Sequence, residues 1–135
     1  MPSLADTTRS GPGRLLIAVY GIFAIAATAR SAVQIATRFG HAPLAFLLSA
    51  FAAAVYLVAT AALAGVVDRR VAWAACGVEL AGVLAVGAAS LVAPAAFPEP
   101  TVWSGFGSGY GFVPLVLPVL GLLWLRHTGN AVRPQ

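Results

Sequence analysis

Glu79 is the side chain with the most chemistry to offer. It is the only charged residue between Val71 and Val92, VAWAACGVELAGVLAVGAASLV, a run that begins after Asp68-Arg69-Arg70 and stops short of Pro94. As a helix rising about 1.5 Å per residue, the run reaches about 33 Å, enough for a hydrocarbon core of about 30 Å. Glu79 then lies roughly 12 Å in from Val71. An ionised carboxylate at that depth costs several kcal/mol unless it is paired, hydrogen-bonded or protonated. Depth counting names its partners. Tyr56, counted back from Val67, falls at about the same level, with Thr60 a turn nearer that end. Arg30, counted forward from Arg14, lies about 24 Å along, roughly 10 Å beyond Glu79, a gap that a guanidinium leaning toward its helix N-terminus closes in large part. Two kinds of chemistry stay open: a structural Glu79–Tyr56 or Glu79–Arg30 bond that fixes helix register, and a proton- or cation-coupled site.

Arg30, Gln34 and Arg38 stand four residues apart and share a helix face, with Ser31 and Thr37 beside it. That face fits a polar vestibule or a lipid-phosphate site, and equally a helix end rising into the headgroup region. The long connection Ala93 to Gly111, APAAFPEPTVWSGFGSGYG, places glycine at 105, 107, 109 and 111, alternating with Phe106, Ser108, Tyr110 and Phe112. Each glycine costs up to about 1 kcal/mol in a helix, so irregular backbone is expected. Gly109-Tyr110-Gly111 matches the tripeptide of a potassium filter, but the approach through Pro94, Pro98 and Pro100 cannot supply a pore helix. An aromatic interfacial plug, or a shallow pocket for a lipid, quinone or other lipophile, remains; Trp103, Phe106 and Tyr110 are the candidate binding residues. Cys76, one turn before Glu79, is the only cysteine, which excludes an intrachain disulfide and favours packing over metal or redox chemistry. His41 and His127 fall at opposite faces, too far apart to share a metal. With no Ser/His/Asp set, nucleotide loop or paired carboxylates in the sequence, no enzyme activity, cofactor or metal is expected.

The elements that must carry these residues follow from composition. The 135 residues are 60% hydrophobic and 9% charged, with a mean hydropathy of +0.90; a soluble domain carries about 25% charged residues. The expected fold is all-α: a polytopic membrane protein, a bundle of four transmembrane helices with a Gly/aromatic outer loop between the third and fourth. The helices are expected at about 14–37, 43–67, 71–92 and 110–125 within a membrane domain over 14–126, flanked by polar tails at 1–13 and 127–135. A second possibility for the first helix is a secretory signal with Leu15 to Ala26 as its apolar core and Ala27-Thr28-Ala29 as the cleavage site. The last apolar run, Phe112 to Leu125, spans only about 20 Å, so the loop is expected to dip into the interface and complete the crossing, with Pro118 as a kink. Small residues at every fourth position, Gly77, Ala81, Ala85 and Ala89, form a stripe suited to close packing, and Ala50, Ala54, Ala61 and Gly65 make the second helix a matching neighbour.

All eight basic residues are arginine. With the N-terminus inside, Arg9, Arg14, Arg69, Arg70, Arg126 and Arg133 face the cytoplasm, against Arg38 and Arg30 outside. This bias predicts a multi-pass protein of a bacterial plasma membrane with both termini cytoplasmic. Arginines at the ends of apolar runs are a topology signal, so nucleic acid is excluded as a partner; membrane lipids are expected, with a homo-oligomer or a larger membrane complex left open.

The runs YGIFAIAATARSAVQIATRF, APLAFLLSAFAAAVYLVAT and TVWSGFGSGYGFVPLVLPVLGLLWLR resemble the small four-helix integral membrane proteins of actinobacteria, over Arg14 to Arg126. The resemblance implies a source and a fold, and no activity. Small multidrug-resistance transporters share the length, but their essential glutamate is in the first helix, where this chain carries Arg30. The function expected is a non-enzymatic accessory subunit or a binder of a lipophile; the alternative is a small proton-coupled transporter using Glu79, as a dimer.

Overall fold

The computed structural model describes residues 11–132, and these are all-helical, without a strand. Four long helices follow one another: α1 (Gly11–Arg38), α2 (Pro43–Leu63), α3 (Arg69–Val92) and α4 (Val113–Val132). Short 3-10 turns at Phe39–His41 and Pro94–Ala96 and a 3-10 stretch at Ser104–Tyr110 join them. The helices α1, α2 and α3 are long and apolar enough to cross a membrane. A fourth span exists if Ser104–Tyr110 and Val113–Thr128, bent by 99° at the break between them, count as one. The outward surface is as apolar as a bilayer requires: Ile22, Ile25, Leu47, Phe51, Leu91 and Leu123 each expose more than half their area.

Each boundary has a local cause. Pro43 opens α2, where a missing N–H costs nothing. That helix ends at Leu63, before the expected Val67, because Gly65 takes a left-handed φ of +83°. Its N–H reaches the Ala62 carbonyl at 3.1 Å and that of Val66 reaches Ala61 at 2.9 Å, a Schellman cap. Asp68 caps α3 by accepting from the Arg70 amide at 3.2 Å, so α3 starts at Arg69. The tails expected at 1–13 and 127–135 lie in part outside the described residues, as do Arg9 and Arg133. Gly11 to Gly13 already belong to α1, and α4 runs past Arg126 and His127, with Thr128 Oγ donating to the Trp124 carbonyl at 2.9 Å. The fourth helix starts at Val113, not 110, and continues across Pro118; the sharp bend falls before it, around Gly111 and Phe112, which both have positive φ.

The core is built where alanines let helices approach and tyrosines fill the remainder: Ala24, Ala52, Ala59, Ala62, Ala72, Tyr20 and Tyr56 are essentially buried. The helix α1 packs on α2, α2 on α3, and α3 on both α4 and the Ser104–Tyr110 stretch. Arg69 donates to the Leu125 carbonyl, tying the start of α3 to α4.

The expected small-residue stripes are not the packing faces. Ala81 and Ala85 are exposed and Gly77 and Ala89 half-buried, while α3 buries Ala72, Ala75, Cys76, Glu79, Val83, Val86 and Gly87. On α2, Ala54 and Gly65 are exposed and Ala50 and Ala61 half-buried. Magnitudes explain the rotation of α3. A carboxyl turned outward into hydrocarbon costs several kcal/mol, whereas an outward alanine costs little, so Glu79 decides which face goes in.

Candidate functional site

The connection from α3 to α4 is folded tightly onto α3. The Trp103 ring lies on Gly82, where a Cβ would come within 2.5 Å of it, and the Phe106 ring lies against Gly87. Trp103 Nε1 donates to the Tyr56 hydroxyl at 3.1 Å, and the Phe51 ring meets the indole edge-on at 6.2 Å between centroids. Ser90 Oγ accepts from the Gly105 amide at 2.8 Å, and Thr101 and Ser104 bond to one another and to the local backbone. The turn requires left-handed backbone at Gly105, Phe106, Gly107, Gly111 and Phe112. Glycine adopts it freely. The two phenylalanines do so under strain of order 1–3 kcal/mol each, which the surrounding packing must hold in place.

Tyr110 is the residue this fold delivers to α1. Its ring meets Phe23 edge-on at 5.9 Å, and its hydroxyl accepts a hydrogen bond from Arg30, whose guanidinium carbon stands 5.9 Å from the ring centroid. Arg30 and Tyr110 together form a wall between two cavities. On one side is an apolar cleft of about 200 Å³ between α1, α2 and Val102, lined by Ile22, Phe23, Ala26 and Ala27 together with Ser31 and Ser49. On the other is an open polar basin of about 530 Å³ edged by Ser90, Thr101, Ser104 and Ser108. Ser31 is buried and its Oγ has no hydrogen-bond partner among the described residues.

Beside this site the first and third connections are latched together. Arg38 reaches Glu99 at 3.2 Å and His41 lies 3.5 Å from the same carboxylate oxygen. Arg30 makes no ion pair with a described residue, and Glu99 is held by these two neighbours.

Glu79 occupies a separate chamber. It is fully buried, and neither carboxylate oxygen has a partner within 3.5 Å among the described residues, the Tyr20 hydroxyl being a donor close enough to interact with it. Tyr20 from α1, Tyr56 from α2 and Cys76 one turn earlier on α3 surround it. The Tyr20 hydroxyl, however, pairs with Cys76 Sγ at 3.6 Å, and the Tyr56 hydroxyl serves Trp103. The expected Glu79–Tyr56 and Glu79–Arg30 bonds are therefore not made. Arg30 turns to the loop, which offers a hydroxyl and a ring face nearer its own depth. Gly121 of α4 closes the chamber, since a Cβ there would stand 2.7 Å from Cys76 Sγ and 3.0 Å from the Tyr20 hydroxyl.

The candidates thus divide. Arg30 and Tyr110 come together, Trp103 and Phe106 are packed against α3 without lining the cleft, and Gln34 is buried away from both cavities. Ser49, Tyr20 and Gly121 are missed by reading along the sequence. For Tyr20 a signal exists, because counting from Arg14 puts it near the level of Glu79. No group of three or more His, Cys, Asp or Glu that could hold a metal occurs among the described residues. Compared with known proteins, the chain matches no family model, no curated protein and no solved structure.

Proposed function

We propose that this chain is a non-enzymatic protein of a bacterial plasma membrane that binds a lipophilic molecule in the cleft between α1, α2 and the outer loop. In this proposal it forms a four-span bundle with both termini cytoplasmic and is related to the small four-helix membrane proteins of actinobacteria that its sequence resembles. The arginine bias, the three apolar helices and the bent fourth pair support the topology. The observation that carries the binding role is the apolar cleft walled by Arg30 and Tyr110. Ile22, which lines it, and the nearby Ile25 are exposed on α1, on a flank that acyl chains would cover. Native mass spectrometry of protein extracted in mild detergent tests it. A small lipophilic molecule is expected to co-purify with the chain and to be lost in Ala27→Phe, which fills the cleft. A chain carrying only a stable protein partner would replace this role with that of an accessory subunit, and a bare chain would remove it.

A second reading is favoured by Glu79 alone. A buried carboxyl without a bonded partner is expensive to keep, and in a membrane interior such groups serve proton or cation pathways. On this reading the chain is a small proton-coupled transporter, working as a dimer because four helices enclose little space. Proteoliposome flux that depends on pH and disappears in Glu79→Gln would support it; pH-independent flux, or none, would remove it.

A further inference from the structure

We infer that the occupant of the Arg30 site is an anionic amphiphile, its phosphate or carboxylate head held by Arg30 at the polar basin and its chain lying in the apolar cleft. This rests on the cleft being a lipophile site, and adds the charge and shape of what enters. The chemistry comes from where Arg30 stands. A guanidinium has five N–H donors in a rigid fork, and the Tyr110 hydroxyl takes a bond from only one of its terminal nitrogens. No described carboxylate pairs with it; Glu99, the acid of the same loop, is held by Arg38 and His41. Its positive charge is therefore without a described counter-charge at the boundary between an apolar cleft and an open, serine-edged basin, as an amphiphile's head requires.

The two cavities match the two halves of such a molecule. The cleft offers Ile22, Phe23, Ala26 and Ala27 to a chain. The basin offers Ser104 and Ser108 near a head, in a volume of about 530 Å³ that is open to water. Ser31, buried and lining the cleft, keeps a hydroxyl with no partner among the described residues. An unsatisfied buried hydroxyl costs about 1–3 kcal/mol, which a ligand oxygen at the cleft mouth would relieve. Arg38, by contrast, already has its carboxylate, so the neighbouring arginine of the same helix offers no second anion site.

The test compares phosphatidylglycerol, phosphatidylcholine and inorganic phosphate as probes, added to the delipidated full-length protein and followed by native mass spectrometry. Phosphatidylglycerol is expected to bind roughly tenfold more tightly than phosphatidylcholine, whose choline cation offsets the charge of the same phosphate and repels the guanidinium. In Arg30→Gln that preference should vanish while binding of phosphatidylcholine persists, and Arg30→Lys should keep most of it, which separates lost charge from a lost fold. Equal binding of the two lipids, with both abolished by Ala27→Phe, overturns the anionic head and leaves the lipophile cleft standing. Lipid binding untouched by Ala27→Phe, or absent altogether, overturns the cleft itself. Displacement of phosphatidylglycerol by inorganic phosphate at matching concentration would assign the arginine to a free anion and overturn the amphiphile.

Discussion

Two of the regions in which the chain buries polar groups are built in opposite ways. Around the α3–α4 connection the buried groups are answered: Trp103 Nε1 by Tyr56, the Gly105 amide by Ser90, the Thr101 amide by Ser104. In the core between the helices, Glu79 has two acceptor oxygens and no donor within 3.5 Å of either, although two tyrosines and a thiol stand around it and Tyr20 is close enough to interact. The first region uses polarity to fix one backbone course through strained positions. The second carries a carboxyl that sets which face of α3 turns inward but makes no close hydrogen bond to a neighbouring helix. Stability explains the loop web; it does not explain Glu79, and this is why the carboxyl keeps a functional reading beside the Arg30 site.

Substitutions sharpen the contrast, beginning with the largest effect. Gly82→Val drives a side chain into the Trp103 ring and should cost about 3 kcal/mol, the range of overpacking, read as a large drop in the melting temperature of the protein in mild detergent. An unchanged melt would mean that the indole is not seated there. Glu79→Leu should act in the reverse sense and raise stability by about 1–3 kcal/mol, since an unanswered carboxyl is exchanged for a close-packed apolar chain. A fall in stability would show that the carboxyl is bonded after all and would erase the difference between the regions. Tyr56→Phe should cost about 1–2 kcal/mol by stranding the indole N–H, with a shift in tryptophan emission to report it. The smallest effect is expected from Arg38→Gln at the latch: the Arg38 and Glu99 side chains are 51% and 23% exposed, and such a pair is worth about 0–1 kcal/mol, less at high salt. A loss well above that in a salt-matched melt would make the latch a structural clasp.

Much of this was legible in the residues themselves. Helical class, the apolar spans, the tight turn at Gly40–Pro43 and a short connection between α2 and α3 follow from local rules of capping and hydropathy, though that connection turns at residues 64–67, ahead of Asp68. The end of α2 falls at Leu63 and not at the expected Val67, because Gly65 acts as a helix-terminating residue and not as the packing residue its spacing suggests. Rotation of the helices was not legible. Depth along a helix is a count, which places Tyr56 and Tyr20 near Glu79, but the direction in which a side chain points is set by what the neighbouring helix needs. The alanine stripe of α3 and the face bearing Glu79 compete for the interior, and only a comparison of their costs in hydrocarbon gives the outcome. The partners of Arg30 and Trp103 lay further out of reach. They depend on five left-handed residues in one loop, two of them phenylalanines, for which a run of alternating glycines indicates irregularity but no path.

One consequence of the closed chamber concerns Cys76. It is the sole thiol of the chain, it is fully buried, and its sulfur is capped by Tyr20 and roofed by Gly121 of α4. A membrane-permeant alkylating reagent can reach it only during excursions in which α4 lifts away. The wild-type protein thus carries its own clock for those excursions, and slower alkylation on adding a candidate ligand would register tightening of the fold without any engineered label.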